Sequence, residues 1–164
     1  MTETTSPEQH AGFAAIIGAP NAGKSTLVNR LTGTKVSIVT QKVQTTRFPV
    51  RGIALHENSQ IVLVDTPGIF TPRRRLDRAM VASAWGGAED ADVVVHLIDA
   101  PSHINSEGRE GTPADRKSAE DTETIIANLK ASGTKGNPVL APIHGLRREG
   151  VFALAHRLSA HGGD

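Results

Sequence analysis

The amino-acid sequence predicts an α/β fold in which a mostly parallel sheet carries helices on both faces. Apolar runs typical of buried strands alternate with segments whose apolar residues recur at helical spacing. A glycine-rich turn joins the first strand to the first helix, and two later strands also end abruptly in polar loops. Because right-handed crossovers bring the carboxyl ends of parallel strands to one edge, the loops that follow residues 17, 64 and 99 are expected to meet there.

Changes of pattern along the chain set the predicted element boundaries. The predicted elements are a disordered tail at 1–12, a strand at 13–17, a helix at 24–32, a mobile loop at 34–49, strands at 50–56 and 60–64, a helix at 73–85, a strand at 92–99, a loop at 100–112, a helix that begins at Pro113, a strand at 138–143 and a closing helix at 151–158. The strand at 60–64 is almost wholly apolar, as expected of a strand buried on both faces, and the strand at 92–99 is predicted to be buried as well.

Apolar stripes and terminating glycines predict the helices. Gly33 is expected to end the first helix. The helix at 73–85 is expected to bury three residues and to end at the Gly86-Gly87 pair, whereas the third helix is expected to run from a Thr112 cap to Gly133. The inward-facing residues predicted for these two helices are Leu76, Met80 and Ala84 in the first of them and Ala119, Thr122, Ile126 and Leu129 in the second.

Composition excludes several classes of protein. The 164 residues are enough for one domain, and a formal charge of +1 gives no field that would favour nucleic acid or an anionic membrane. The absence of cysteine excludes a disulfide partner, thiolate metal sites and thiol catalysis. The polar start is no signal peptide and no apolar run is long enough to span a bilayer, so a cytoplasmic location is predicted.

The first glycine-rich turn carries the most specific motif. The run Gly18-Ala19-Pro20-Asn21-Ala22-Gly23-Lys24-Ser25 fits G-x-x-x-x-G-K-[ST] between a predicted strand and a predicted helix. In such a loop backbone N–H groups bind phosphate, the lysine reaches the β- and γ-phosphates, and the serine hydroxyl binds Mg²⁺. Lys24 is therefore expected to pack against nothing in the protein and to act in catalysis. The nucleotide-binding residues predicted here are Gly18, Ala19, Pro20, Asn21, Ala22, Gly23, Lys24, Ser25 and Thr26. The alternative is a tight strand–helix turn with a chance Lys-Ser.

Two further loops supply candidate ligands. Asp65 follows an apolar strand, which is the position of a carboxylate that binds Mg²⁺ directly or through water. The predicted nucleotide contacts continue through Thr66, Pro67 and Gly68, whose N–H can meet a γ-phosphate. The Thr46 hydroxyl would complete a metal site made of Ser25, Thr46 and Asp65, although an ordinary polar loop is the alternative at that threonine.

Three segments, GAPNAGKST, KVSIVTQKVQTTR and IVLVDTPGIF, resemble the bacterial Era family of GTPases. The resemblance covers residues 13–141 well and 142–160 weakly. It implies a three-layer P-loop NTPase fold like that of small G proteins, with GTP or GDP and Mg²⁺ as ligands. It also implies that Thr46 is the metal-binding residue of switch I, that Asp65–Gly68 opens switch II, and that a potassium ion binds near Asn21. The partners implied are small-subunit ribosomal RNA or the ribosome during subunit assembly, with peripheral membrane contact left open.

One residue differs from Ras-like enzymes, and two further features depart from the pattern of the Era family. Ile69 stands where Ras-like enzymes carry a catalytic glutamine, and isoleucine cannot orient water. The guanine-reading motif N/T-K-x-D is missing, because Thr134-Lys135-Gly136-Asn137 ends in asparagine and precedes its strand. The segment Pro142–Val151 resembles the family's next motif, so the G domain at 13–161 is expected to be incomplete after about 141, shortened at its C-terminal side, and without a KH domain.

Three functions stay open on the sequence alone. The first is an Era-like GTP-binding protein with slow hydrolysis, and the second is a degenerate pseudo-GTPase without base selectivity or turnover. The third is an ATP-using P-loop enzyme, which the DTPG and QTTR segments disfavour. Without an acceptor for guanine, GTP and ATP are expected to bind within about tenfold of each other. RNA contact would rest on Arg73-Arg74-Arg75, for which a solvated helix start is the favoured interpretation.

Overall fold

The computed structural model describes residues 9–39, 46, 48–99 and 112–131. Within these residues the elements are β1 (His10–Ile17), α1 (Lys24–Thr32), β2 (Val50–His56), β3 (Ser59–Asp65), α2 (Arg75–Glu89), β4 (Val93–His96) and α3 (Pro113–Ala131). The α/β class predicted from the sequence is confirmed. Most of the predicted tail, most of the loop at 100–112, the strand at 138–143 and the closing helix at 151–158 lie outside the described residues.

The sheet has the strand order β2-β3-β1-β4. β1 is parallel to both β3 and β4, whereas β2 runs antiparallel to β3 and forms the predicted hairpin with it. Ile16 pairs with Asp65, and Ile17 pairs with His96, so the carboxyl ends of the three parallel strands lie side by side. The expected meeting of the strand-end loops at one edge follows from this register.

Alternating residues of β1 point to two different cores, which gives the molecule three layers. The core on the α1 side contains Ala14, Ile16, Leu27, Val28, Ala54, Ile61 and Leu63. The core on the α2 and α3 side contains Ala15, Ile17, Ile69, Ala84, Ala88 and Ile125. The period of two along β1 is what a strand between two helical layers requires.

β1 begins three residues earlier than predicted, so residues 10–12 are part of a strand and not of a disordered tail. His10 pairs with Ser59, and the His10 N–H donates to the Asn58 carbonyl at 3.0 Å. Further along, the Phe13 N–H donates to Asp92 Oδ2 at 2.8 Å. Backbone pairing with β3 extends the strand here, and a polar or small side chain does not prevent it.

The predicted end of α2 at the Gly86-Gly87 pair is wrong, because the helix continues to Glu89. The Asp90 N–H donates to the Gly86 carbonyl at 3.2 Å, so the helical ladder runs through both glycines. A Cβ on Gly87 would lie 3.3 Å from Thr66 Cγ2. The glycine at this position lets α2 approach the loop that follows β3, and it does not act as a terminator.

Burial in α2 agrees with the prediction in part. Met80, Ala84 and Ala88 are buried at successive i, i+4 positions. Leu76 was expected in the core but is 59% exposed. It lies in the first turn beside residues 73–75, which are exposed as well, so α2 enters the core only at Met80.

β4 is shorter and less buried than predicted. It spans Val93–His96, and all four residues are only half-buried. The strand predicted at 92–99 is confirmed over Val93–His96 only, and its predicted burial is correct in part, because these four residues are half-buried.

α3 begins as predicted. Asp115 Oδ2 accepts the Thr112 N–H at 2.9 Å, and the Asp115 N–H donates to Thr112 Oγ1 at 3.2 Å, which is a reciprocal cap. The inward stripe is corrected by one residue, since Ile125 is fully buried and Ile126 is half-buried. Asp121 and Thr122 complete the buried face.

The described residues of the predicted loop at 34–49, which are 34–39, 46, 48 and 49, belong to no helix or strand. Neither α1, α2 nor α3 combines the length and the apolarity that a bilayer crossing requires.

Candidate functional site

Three loops meet at the carboxyl edge of the sheet. The Leu97 N–H, just after β4, donates to the Ile17 carbonyl at 2.8 Å. The Ile69 N–H, from the loop after β3, donates to the Gly18 carbonyl at 3.0 Å. Backbone hydrogen bonds thus hold the segments that follow β1, β3 and β4 together, as expected for the loops after residues 17 and 64, whereas the loop predicted after residue 99 begins outside the described residues.

The glycine-rich loop uses its two glycines for different reasons. A Cβ on Gly18 would lie 2.5 Å from the Leu97 carbonyl oxygen, so no other residue fits between the two strands. Gly23 has φ 94° and caps the N-terminus of α1, a conformation that side chains disfavour. Asn21 also has a positive φ, of 60°, and is exposed. The loop thus wraps back from β1 to present the N-terminus of α1.

Lys24 is buried, which corrects the expectation that it packs against nothing. Its Nζ donates to the Ala19 carbonyl at 2.7 Å and to the Gly18 carbonyl at 3.1 Å. Burial lowers the pKa of Lys24 to about 8, and the negative charge of Asp65 opposes that shift. Lys24 is thus a structural part of the loop. Because its ammonium group is removed from water, the charged form is less favourable in the folded protein than in solution.

The three predicted metal ligands lie together. Ser25 Oγ donates to Asp65 Oδ2 at 2.6 Å, Thr46 Oγ1 donates to the same oxygen at 3.4 Å, and the two hydroxyls are 3.3 Å apart. Asp65 is fully buried, and its Oδ1 has no hydrogen-bond partner in the described part of the chain. A buried carboxylate oxygen without a partner beside two hydroxyls is a donor set that fits Mg²⁺, which prefers oxygen ligands.

Carboxylate or imidazole clusters do not offer a competing metal site: over residues 9–39, 46, 48–99 and 112–131 no group of three His, Asp or Glu is suitably placed.

The remaining predicted contacts have distinct positions. Thr66 is buried, and its Oγ1 donates to the Ile16 carbonyl at 2.8 Å, so this hydroxyl braces β3 against β1. A Cβ on Gly68 would lie 2.8 Å from Pro20 Cα, so the two loops touch backbone to backbone. Thr26 is half-buried in the first turn of α1, and Pro67 is fully buried. Thr66 therefore serves the sheet, whereas Gly68 lies at the loop.

Ile69 is 1% exposed and packs in the core on the α2 and α3 side. The side chain points away from the loop and its backbone N–H binds Gly18. That the residue after Gly68 orients no water stays a prediction.

Sequence reasoning missed three polar residues near the site. His96, the only polar residue of β4, has its pKa lowered to about 4 by burial and, less strongly, by the charge of Lys24. Asn29 Oδ1 accepts the Val36 and Ser37 N–H groups at 2.9 and 2.8 Å, and Asn29 Nδ2 donates to the Ser37 carbonyl at 2.8 Å. A histidine inside an apolar run was a usable signal, whereas nothing local marked Asn29.

Asp121 is the third missed residue. It is 2% exposed on the inner face of α3, where Oδ1 accepts the Thr71 N–H at 3.3 Å and Oδ2 lies 3.5 Å from Lys117 Nζ. Burial raises the pKa of Asp121, with the charge of Lys117 opposing. An acidic residue one turn before an apolar position gives no signal of burial in the sequence.

The arginine run at the start of α2 is exposed, as the favoured interpretation predicts. The N–H groups of Arg73 and Arg74 donate to Asp77 Oδ2 at 3.2 and 2.9 Å. This is the capping of a helix start by an acidic side chain in the first turn.

Comparison with known proteins gives a consistent family. Residues 13–134 match the model of a family described as 50S ribosome-binding GTPase. The GTPase Era of Caulobacter vibrioides is 61% identical over 155 residues, which are 94% of this chain and 49% of that protein. The chain thus spans about half the length of the curated relatives it matches.

Two solved Era structures are similar to this one. A crystal structure of an Aquifex aeolicus Era variant bound to GDP·AlF4⁻ has 36% identity and a TM-score of 0.63, covering 92% of this chain and 47% of that one. Era in complex with MgGDPNP and nucleotides 1506–1542 of 16S ribosomal RNA has 33% identity and a TM-score of 0.64, covering 96% of this chain and 50% of that one.

These findings decide between the readings of the sequence. They support a P-loop GTPase fold and give no support to a degenerate pseudo-GTPase or to membrane contact. The family match ends at residue 134. The guanine-reading motif would follow the strand predicted at 138–143, beyond the match, so the absence of that motif stays a prediction. The chain belongs to the family of 50S ribosome-binding GTPases, and the Era resemblance predicted from its motifs is confirmed.

Proposed function

We propose that this chain is the nucleotide-binding domain of an Era-type GTPase and that it binds GTP and GDP together with Mg²⁺. The observation that carries the proposal is the meeting of the Ser25, Thr46 and Asp65 oxygens next to the Lys24 ammonium. A triphosphate needs a hard cation, a lysine and a helix N-terminus in one place, and these groups supply all three.

Each group has a separate task in the proposal. The backbone N–H groups of the glycine-rich loop and of the first turn of α1 donate to phosphate oxygens, and Lys24 exchanges its two carbonyl partners for the β- and γ-phosphates. Mg²⁺ held by Ser25, Thr46 and Asp65 would supply neutralisation of phosphate charge. Gly68 lies against the loop, which suits its N–H for the γ-phosphate.

Hydrolysis in this proposal is slow, because Ile69 is buried and contributes no side chain to an attacking water. Lys24 and Thr46 are the residues assigned to catalysis, as charge and hydroxyl that stabilise the transferring phosphoryl group. A potassium ion near Asn21 belongs to the same proposal, and the exposure of that asparagine on the loop is compatible with it.

Base selectivity is proposed to be weak. No Asp follows Lys in an N/T-K-x-D arrangement anywhere in residues 1–164. Losing two hydrogen bonds to a charged acceptor costs about 1.5–3 kcal/mol each, which corresponds to roughly two to four decades of affinity for guanine. Phosphate and Mg²⁺ contacts then provide most of the binding free energy.

The proposed partner is small-subunit ribosomal RNA, and the proposed process is ribosome assembly in the cytoplasm. The support is the similarity to an Era protein whose structure holds a 16S ribosomal RNA fragment together with MgGDPNP. Because this chain spans about half of its relatives' length, the RNA contact of the whole protein carries over only as a proposal.

Titration of fluorescent GDP, a GTP analogue and an ATP analogue in Mg²⁺ and in EDTA tests the proposal. We expect triphosphate binding that weakens at least about tenfold in EDTA, and phosphate release from GTP that follows the same metal dependence. Lys24→Met serves as the control that should not bind. Equal binding with and without metal, or the same affinity in wild type and Lys24→Met, would remove the basis of the proposal.

A further inference from the structure

The segment that follows Gly68 leaves the site through a short buried stretch. Ile69 is 1% exposed and Phe70 is 8% exposed, whereas residues 71–76 are all exposed. Thr71 is therefore the point at which the chain leaves the core on its way to α2. Any contact at Thr71 acts as the far anchor of the stretch that carries Asp65 and Gly68.

α3 contacts this stretch with two side chains one turn apart. Ile125 packs in the same apolar cluster as Ile69, and both are almost fully buried. Asp121, four residues earlier on the same face, accepts the Thr71 N–H through Oδ1 at 3.3 Å. The apolar contact and the polar contact are independent, and both join α3 to the residues directly after Gly68.

Asp121 is an unusual residue for such a position. A carboxylate that is 2% exposed is costly unless it is paired and hydrogen-bonded. In the described part of the chain its cationic neighbour is Lys117, which is 55% exposed and 3.5 Å away, so this ion pair compensates the burial only weakly. The remaining specific partner is the Thr71 amide, which indicates that the acceptor serves the loop.

We propose that Asp121 is a positioning residue that anchors Thr71 to α3 and thereby holds Gly68 ready for a γ-phosphate. The inference rests on the proposed function. The effect runs through the backbone: Asp121 holds Thr71, the buried Ile69 and Phe70 connect it to Gly68, and the Ile69 N–H ties the stretch to Gly18. GDP has no γ-phosphate, so the anchor should matter for triphosphate and not for diphosphate.

The test measures the ratio of affinities for a non-hydrolysable GTP analogue and for GDP. Asp121→Ala should weaken the GTP analogue about three- to tenfold, the loss of one hydrogen bond, and leave GDP unchanged. Asp121→Asn keeps a carbonyl oxygen that can accept the Thr71 N–H and should restore most of the ratio. Asp121→Leu refills the volume, so it separates loss of the acceptor from creation of a cavity.

Two matched controls lie on the same helix. Glu120→Ala removes an exposed carboxylate next to Asp121, and Lys117→Ala removes the other partner of Asp121 while the Thr71 contact stays. Both should leave the ratio within about twofold of wild type. An unchanged ratio in Asp121→Ala and Asp121→Leu, or equal losses of GDP and GTP analogue, would overturn the proposal, as would failure of Asp121→Asn to restore it.

Amide hydrogen exchange in nucleotide-free protein separates this inference from the proposed function. Protection of the Thr71 amide should fall in Asp121→Ala and stay at the wild-type level in Glu120→Ala and Asp121→Asn. If the wild type bound no nucleotide, the proposed function would fail while the exchange measurement still tested the anchor. Unchanged Thr71 exchange in Asp121→Ala would show that no anchor exists.

Discussion

Asp65 and Thr46 contribute oxygen atoms to the same candidate metal site, but the structure holds the two residues in different ways. Asp65 is the last residue of β3, pairs with Ile16 on one side and with Val50 on the other, and is fully buried. Thr46 belongs to no helix or strand and is half-buried. Its described hydroxyl contacts are 3.3 Å to Ser25 and 3.4 Å to Asp65.

The lengths of the hydrogen bonds at the site also distinguish Asp65 from Thr46. Ser25 and Asp65 are joined by a 2.6 Å hydrogen bond to a carboxylate, which is in the range of strong, charge-assisted bonds. The two contacts of Thr46 are at the long limit of hydrogen bonding. The comparison indicates that α1 and β3 preorganise two of the three candidate metal ligands, whereas the third has only two long contacts among the described residues.

The largest effect is expected at Lys24, which belongs to the preorganised part. Lys24→Ala and Lys24→Met should both abolish measurable triphosphate binding, since loss of charge-assisted bonds to two phosphates amounts to roughly 10²- to 10⁴-fold. Equilibrium titration measures this. Lys35→Ala, at an exposed lysine after α1, is the matched control and should bind as the wild type does. Retained binding in Lys24→Met would exclude the lysine as a phosphate ligand.

Lys24 should also make stability depend on pH. Burial lowers its pKa from 10.5 to about 8, so between these values the unfolded chain binds more protons than the folded protein. The free energy of unfolding should therefore rise as the pH rises from 8 towards 10.5 and be lower below 8, by at most about 3 kcal/mol.

Chemical denaturation of the nucleotide-free protein at pH 7, 8, 9 and 10 measures this rise. Lys24→Met removes the titrating group and should lack the rise, so the difference between the two proteins isolates Lys24 from the other lysines. Parallel pH profiles of wild type and Lys24→Met would contradict the buried charge.

Asp65→Ala tests the carboxylate of the preorganised part. The substitution removes the acceptor of the 2.6 Å bond and the candidate metal ligand, so triphosphate affinity in Mg²⁺ should fall about ten- to hundredfold. In EDTA the wild type should lose a similar factor and the variant should lose nothing more. Additive losses from EDTA and from Asp65→Ala would show that Asp65 and the metal act separately.

The adjacent glycines of α2 test how tightly the loop after β3 is packed. Gly86→Ala has open space around the added Cβ and should stabilise the helix by about 1 kcal/mol. Gly87→Ala places a methyl 3.3 Å from Thr66 Cγ2, and Thr66 is held by its bond to Ile16, so the gain should vanish or reverse. Thermal unfolding measures the stability of both variants. Equal stabilisation would show that the Thr66 side chain moves enough to accommodate the methyl group of Gly87→Ala.

Thr46→Ala should have the smallest effect on affinity. Because its contacts are long, we expect a loss of about two- to fivefold for triphosphate and none for GDP. Thr46→Ser, which keeps the hydroxyl, should restore the affinity. A loss of triphosphate affinity in Thr46→Ala equal to that in Asp65→Ala would contradict the proposed difference between these two ligands.

Much of the candidate site was predictable because its signals are local. The glycine spacing before Lys24, the placement of Asp65 at the end of an apolar run, and the Thr112 cap each depend on a few neighbouring residues. The convergence of the loops followed from the handedness of crossovers and needed no side-chain detail. Most of the residues predicted for phosphate and metal accordingly lie at one edge of the sheet, whereas Thr66 turned out to brace β3 against β1.

By itself the sequence determined the α/β class, the order of the described elements, and the loop residues that carry the chemistry. The burial of Lys24, the passage of α2 through Gly86 and Gly87, and the contact of Asp121 with Thr71 were decided only by tertiary structure. The physical reason is the separation along the sequence over which each kind of interaction acts. Periodicity and turn chemistry act within a few residues, whereas burial and hydrogen-bond partners depend on groups 50 residues apart, as Asp121 and Thr71 are.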